Sequence, residues 1–218
     1  HRLTIHDAAL DRPLRFDATL TNPKPTGSIE VTGEFGPFDG IEPRRTPLEG
    51  RYTFTGADLA TVGGIAGILS STGEFDGALG RIAVNGRTET PDFRLESAGH
   101  PVPLETTFNA VVDGTNGNTF LEPVHATLGS TVIVAEGAVA KGDAREGGEE
   151  GEDEGRRHVK LDVRVRDGRL EDILRLALKS ETVPMNGALR LDTAFALPPG
   201  ENEVIERLRL DGTFAVDD

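Results

Sequence analysis

Apolar and polar residues alternate along most of this chain, most clearly from Pro101 to Ala140. There Val102, Leu104, Thr106, Phe108, Ala110 and Val112 fall on one side, with Glu105, Thr107, Asn109 and Asp113 mostly on the other. A period of two belongs to a strand with one apolar and one wet face. The run DGTNGN, Asp113–Asn118, supplies residues that tolerate positive φ, as a hairpin turn demands. Phe120, Val124, Ala126 and Leu128 resume the alternation, and Leu128-Gly129-Ser130 turns the chain into Thr131–Ala140. The pattern predicts three consecutive strands of an antiparallel meander.

The rest of the chain repeats this theme. Weak alternations at Leu3/Ile5 and at Leu14, Phe16, Ala18 and Leu20 end at the breaker Asn22-Pro23-Lys24-Pro25. Strands are predicted through Ile29, Val31 and Phe35, through Tyr52 and Phe54, and through Phe75, Gly77 and Leu79. Ile82 and Val84 have slipped by one position, which predicts a bulge near Gly80. Phe93 and Leu95, Val159–Val165, Leu189–Leu197 and Leu208–Val216 complete the series.

Two stretches carry helical spacing instead. In Ala57–Ser70 the residues Leu59, Val62, Ala66 and Leu69 predict a short helix on the sheet, weakened by Gly63, Gly64 and Gly67. In Arg169–Lys179, Leu170, Ile173, Leu174, Ala177 and Leu178 follow i, i+3, i+4, i+7, i+8, with Asp167 as the expected cap. The fold class is mainly β: about a dozen short strands with two short helices.

Composition narrows the choice of function. A formal net charge of −14 argues against nucleic acid, whose phosphates need a basic face. With no cysteine there is no disulfide or thiolate chemistry, and the five histidines form no HxH, HExxH or HxxxH pair. No GxSxG elbow or phosphate loop occurs, so no enzyme, cofactor or metal is expected. His125 lies opposite the apolar residues of its strand and is expected to face solvent. The acidic run at 141–157, KGDAREGGEEGEDEGRR, is expected to be a flexible, solvated insert without the spacing of a calcium loop. No apolar run is long enough to cross a bilayer, and the opening on His1 suggests a segment of a longer protein.

The ordering of the Gly-punctuated strands resembles the AsmA-like family, bacterial envelope proteins of the repeating β-groove type that include the TamB-like proteins. The resemblance is carried by TGSIEVTGEFGPF (26–38), TPLEGRYTFTGADL (46–59), LSSTGEFDGALGRIAVNGRTETPDFRL (69–95) and VPLETTFNAVVDGTNGNTFLEPVHATLGST (102–131). GRLEDILRLALK (168–179), VPMNGALRLDTAFALPPG (183–200) and VIERLRLDGTFAV (204–216) extend it. It rests on order rather than on any single motif, and the insert 141–157 lies outside the shared pattern.

The resemblance implies one elongated, twisted antiparallel meander curled into a trough over 1–218. Its apolar inner face would shelter or carry phospholipid or other acyl chains between inner and outer membranes. It also implies a periplasmic location, with the parent protein tethered to the inner membrane by a segment absent here. The expected lining is Leu104, Phe108, Ala110, Val112, Phe120, Val124, Ala126, Leu191, Phe195, Leu210 and Phe214, with Gly77 and Ala138 leaving further room. The helix Arg169–Lys179 is expected to plug or flank one end. Alternation by itself favours the ordinary core of a closed sandwich or barrel over an open groove, which would suit a scaffold that meets a protein partner; a carbohydrate-active sandwich is the third alternative, with the absence of Trp and the single Tyr against it.

Overall fold

A computed structural model of the chain describes residues 1–6, 12–96, 100–141, 157–180, 182–200 and 204–217. In chain order the strands are β1 (Arg2–His6), β2 (Leu14–Pro23), β3 (Thr26–Phe35), β4 (Pro47–Asp58), β5 (Ile65–Ala66), β6 (Ile68–Ala78) and β7 (Arg81–Thr90). There follow β8 (Arg94–Leu95), β9 (Leu104–Val112), β10 (Thr119–Leu128), β11 (Thr131–Lys141), β12 (Arg157–Arg169), β13 (Ala188–Leu197) and β14 (Arg209–Asp217). Helix α1 spans Leu170–Ala177, and a single turn, α2, spans Val204–Arg207.

Twelve of these strands form one open antiparallel sheet, and β5 and β8 form a separate two-stranded ribbon. The order β1-β2-β3-β4-β6-β7-β9-β10-β11-β12-β13-β14 is a simple meander in which each strand pairs with its predecessor in the sheet. Such local pairing follows from the short turns. Leu79-Gly80 and Gly129-Ser130 each reverse the chain in two residues.

The register settles where each side chain points. Leu3, Ala18, Val31, Tyr52, Gly73, Gly86 and Phe108 form one row across the first seven strands. The rows on that face are apolar or hydroxylic except at its margins, where Asn22 faces Gly27 and Lys141 faces Arg157. The opposite face carries Asp17, Thr32, Arg51, Glu74 and Asn85 in its matching row. Side chains of the apolar face are mostly half-buried although, among the described residues, only one border of that face is covered, whereas those of the polar face are mostly exposed. Converging side chains shelter one another on the inside of a curl, so the meander is curled towards its apolar side. Glycines agree: Gly27, Gly33, Gly50, Gly73, Gly77, Gly86, Gly137 and Gly212 all fall on the apolar face. A Cβ at Gly50 would strike the Thr32 carbonyl and come 2.6 Å from the Phe75 ring. The bend leaves no room for one.

Along one border of the sheet, small elements lie over the apolar face. A 3₁₀ turn at Leu59–Val62, the β5–β8 ribbon and α1 flank the ends of β4, β6, β7, β9, β10 and β12. Beneath them Ala57, Leu59, Ala66, Val102, Leu128, Val165 and Leu189 make up most of the buried apolar core. The core is thus a strip along one border, with the remaining floor of the sheet open.

Several expectations change. The helix predicted over Ala57–Ser70 reduces to the 3₁₀ turn, because Gly63, Gly64 and Gly67 adopt φ of 86°, 83° and 131° and break the spiral. The phase slip near Gly80 is the hairpin turn itself: Phe75 faces Val84 and Gly77 faces Ile82. Asp167 does not cap α1, since β12 runs on to Arg169, which occupies the cap position without a side-chain bond. Of the insert expected at 141–157, Lys141 closes β11 and Arg157 opens β12, while 142–156 lie outside the described residues.

Candidate functional site

Among the described residues the apolar floor runs across all twelve strands of the main sheet. Across β9 to β14 it is built from register rows. One runs Val112, Thr119, Val139, Val159 and Leu197. The next runs Ala110, Leu121, Gly137, Leu161, Phe195 and Leu210. Then come Val124, Ala135, Val163, Thr193 and Gly212, and finally Ile133 beside Ala126, and Val165, Leu191 and Phe214. Ten of the eleven expected lining residues therefore share one face: Leu104, Phe108, Ala110, Val112, Val124, Ala126, Leu191, Phe195, Leu210 and Phe214.

Phe120 is the exception. It pairs with Val111 on one side and Ala138 on the other, and all three lie on the polar face, with Phe120 53% exposed. The cause is a bulge, Glu122-Pro123 opposite the single residue Glu136. Proline has no amide to give to a ladder and is tolerated inside a sheet at such irregularities. The bulge puts Leu121 on the floor, where the unbroken alternation pointed to Phe120; Ala138, also expected on the floor, lies on the polar face because β11 alternates without a break through Ile133, Ala135, Gly137 and Val139. Leu121, Ile133, Ala135, Leu161 and Val163 belong to the floor and were missing from the expected lining. Pro123 inside a strand pattern was the signal that could have found Leu121.

The two halves of the floor differ. Across β3 to β9, rings lie flat over glycines of the neighbouring strand. Phe75 covers Gly50, Tyr52 covers Gly73 and Phe108 covers Gly86; a Cβ at these glycines would come 2.6, 2.6 and 2.7 Å from the rings. Ala126, Ala135 and Gly137 leave the floor lower across β10 and β11. A few hydroxyls interrupt the apolar surface: Tyr52 bonds Ser71 at 3.1 Å, and Ser71 donates to the Arg87 carbonyl at 3.1 Å. No carboxylate, histidine or lysine lies among the floor rows given above.

At the border, α1 is held by a buried carboxylate. Asp172 accepts from the Ser130 amide at 2.9 Å and from the Thr131 hydroxyl at 2.9 Å, and the Thr131 oxygen accepts from the Arg169 amide at 2.9 Å. Thr131 is fully buried and Asp172 nearly so. Glu171 beside it has a carboxyl held below its ordinary value by its own backbone amide and by Arg169, 3.0 Å away. The helix flanks the floor where the sequence placed it.

Opposite lies the polar face, whose largest concavity among those described is about 750 Å³ and wide open. It is lined by His6, Arg15, Asp17, Glu34, Glu49, Arg51, Glu74 and Asp76, among others. These groups are solvent-exposed or at most half-buried, and His6 bonds Asp17 at 2.7 Å. Among the described residues no three histidine, aspartate or glutamate side chains gather to hold a metal ion. His125 stands exposed on this face. The polar hollow is larger than any other described, but its walls are solvated side chains of mixed charge that converge on no point. The floor is the better candidate, since burying it offers the larger free energy.

Compared with protein-family models, curated proteins and solved structures, the chain matches none. Among the described residues no helix is long and apolar enough to cross a membrane.

Proposed function

We propose that this chain is a non-enzymatic β-trough that shelters or conducts acyl chains of phospholipid along its apolar floor, as a segment of a bacterial envelope protein of the AsmA-like type. The observation that carries the reading is the floor itself: an apolar face on an open twelve-stranded sheet, covered among the described residues only along one border. A closed sandwich or barrel would satisfy that face internally, and the absence of closure weighs against the scaffold and carbohydrate alternatives. Transfer of hydrocarbon from water is worth roughly 0.8 kcal/mol per CH₂, so an acyl chain of about fifteen carbons offers on the order of 12 kcal/mol before its ordering costs. No catalytic group is needed for that. A periplasmic site of action, with the parent protein tethered to the inner membrane, belongs to the same proposal.

The test is direct. Protein purified without detergent is extracted with organic solvent and the extract analysed by mass spectrometry, and binding of a fluorescent fatty acid is titrated in parallel. Phospholipid in the extract is expected. Ala126→Glu and Ala135→Glu, which place charges on the low part of the floor, are expected to weaken fatty-acid binding at least tenfold. Thr107→Glu on the polar face leaves it unchanged. An empty extract together with equal binding by all three variants would refute the proposal.

A further inference from the structure

At the border away from α1, the floor across β11 and β12 ends in positive charge. Beyond the row Thr119, Val139, Val159 and Leu197, the next side chains on that face are Lys141 and Arg157. They stand directly opposite each other on neighbouring strands. Like charges so placed repel and weaken the pairing unless an anion lies between them. Among the described residues neither is in an ion pair, whereas Arg44 and Arg45 at the same border bond Asp113 at 2.7 Å and Glu42 at 3.2 Å.

The β9–β10 turn holds both cations in place. The Asn118 side-chain oxygen accepts from the Lys141 amide at 3.0 Å, and the Arg157 guanidinium lies against Gly117, where a Cβ would strike it. Beside them a hollow of about 380 Å³ is lined by Arg157, Val159, Leu197, Pro198 and Arg207, among others. Arg207 is tethered there by a bond to the Pro198 carbonyl. Hydrocarbon floor and cations therefore meet in one place, in a chain whose net charge is −14. Guanidinium and ammonium groups together suit an oxyanion, which each binds through charge-assisted hydrogen bonds. We propose that this border holds the oxyanion of an amphiphile, a phosphate or carboxylate head, while its chain lies on the floor. The inference rests on the acyl-chain reading and narrows it to ligands with an anionic group at the β11–β12 end.

The test is displacement of a fluorescent fatty acid from the full chain, at low salt, by dodecyl phosphate, laurate, dodecanol and inorganic phosphate. Dodecyl phosphate and laurate should compete roughly fivefold better than dodecanol, about what one or two exposed ion pairs supply, and the stronger of the two names the head group. Inorganic phosphate should not displace the probe. Lys141→Gln combined with Arg157→Gln should bring both anions to the affinity of dodecanol and leave dodecanol unchanged, which also shows the floor intact. Arg81→Gln, which removes an exposed charge from the polar face of β7, should keep the preference. Dodecanol competing as well as the anions for the parent chain overturns the inference and leaves the acyl-chain reading standing. The carboxylates at 143–154 would give that result by taking the place themselves. A preference that survives in the double variant, or displacement by inorganic phosphate, overturns it as well. If the probe does not bind at all, the acyl-chain reading falls and takes the inference with it.

Discussion

Replacing Asp172 by alanine removes a buried carboxylate of α1 that bonds the turn between β10 and β11. The carboxylate accepts two bonds of 2.9 Å, from the Ser130 amide and the Thr131 hydroxyl. A bond to a charged partner contributes about 1.5–3 kcal/mol net. Ser130 is exposed, so water can replace its share, but Thr131 is fully buried and its hydroxyl would be left with the Arg169 carbonyl at 3.4 Å. The expected loss is therefore about 3 kcal/mol, below the sum of two full bonds. In a chain of this size that corresponds to a fall in Tm of roughly 6–12 °C. Asp172→Asn keeps oxygen as an acceptor for one partner and should lose about half as much. Urea denaturation gives the magnitude, and hydrogen exchange at Ser130, Thr131 and the α1 amides gives the place. If Asp172→Ala stays within about 0.5 kcal/mol of the parent, or the new exchange appears elsewhere, the carboxylate does not anchor the helix.

Three further outcomes follow from the geometry. Phe120→Ser on the polar face should cost less than about 0.5 kcal/mol, while Leu121→Ser on the floor should cost about 2 kcal/mol; equal losses by urea denaturation would remove the bulge from the account. Gly50→Val should destabilise the chain by about 3 kcal/mol or more in the same assay, because its Cβ meets the Thr32 carbonyl and the Phe75 ring, and a neutral result would contradict the bend. Asp113 is held below its ordinary value of 3.8 by the Thr115 hydroxyl, the Thr115 amide, Arg44 and Asn116. A depressed folded value means that its contribution is present above the unfolded value and lost as pH falls through the folded one. The Asp113–Asn118 turn should therefore loosen only below about pH 4, read as amide shifts of Thr115 and Asn116, and Asp113→Asn should abolish that step.

What the sequence determined by itself was the alternation. Thr and Val at every second position, with Gly, Asn and Asp at the reversals, dictate short strands, hairpins and a mainly β chain, because side chains of a pleated strand must leave on opposite sides. It also located α1, whose apolar spacing admits no strand. Which residues share a face was another matter. The bulge at Pro123 costs one position of phase, and its effect on Phe120 and Leu121 appears only once β10 is laid against β9 and β11. Gly33, Gly50, Gly73 and Gly86 read as punctuation in the sequence. Paired across strands, they are the places where the sheet bends, and rings stand over Gly50, Gly73 and Gly86. Whether the apolar side closes on itself or stays open was decided by tertiary structure alone, since alternation gives each strand a side to bury but says nothing about what will cover it.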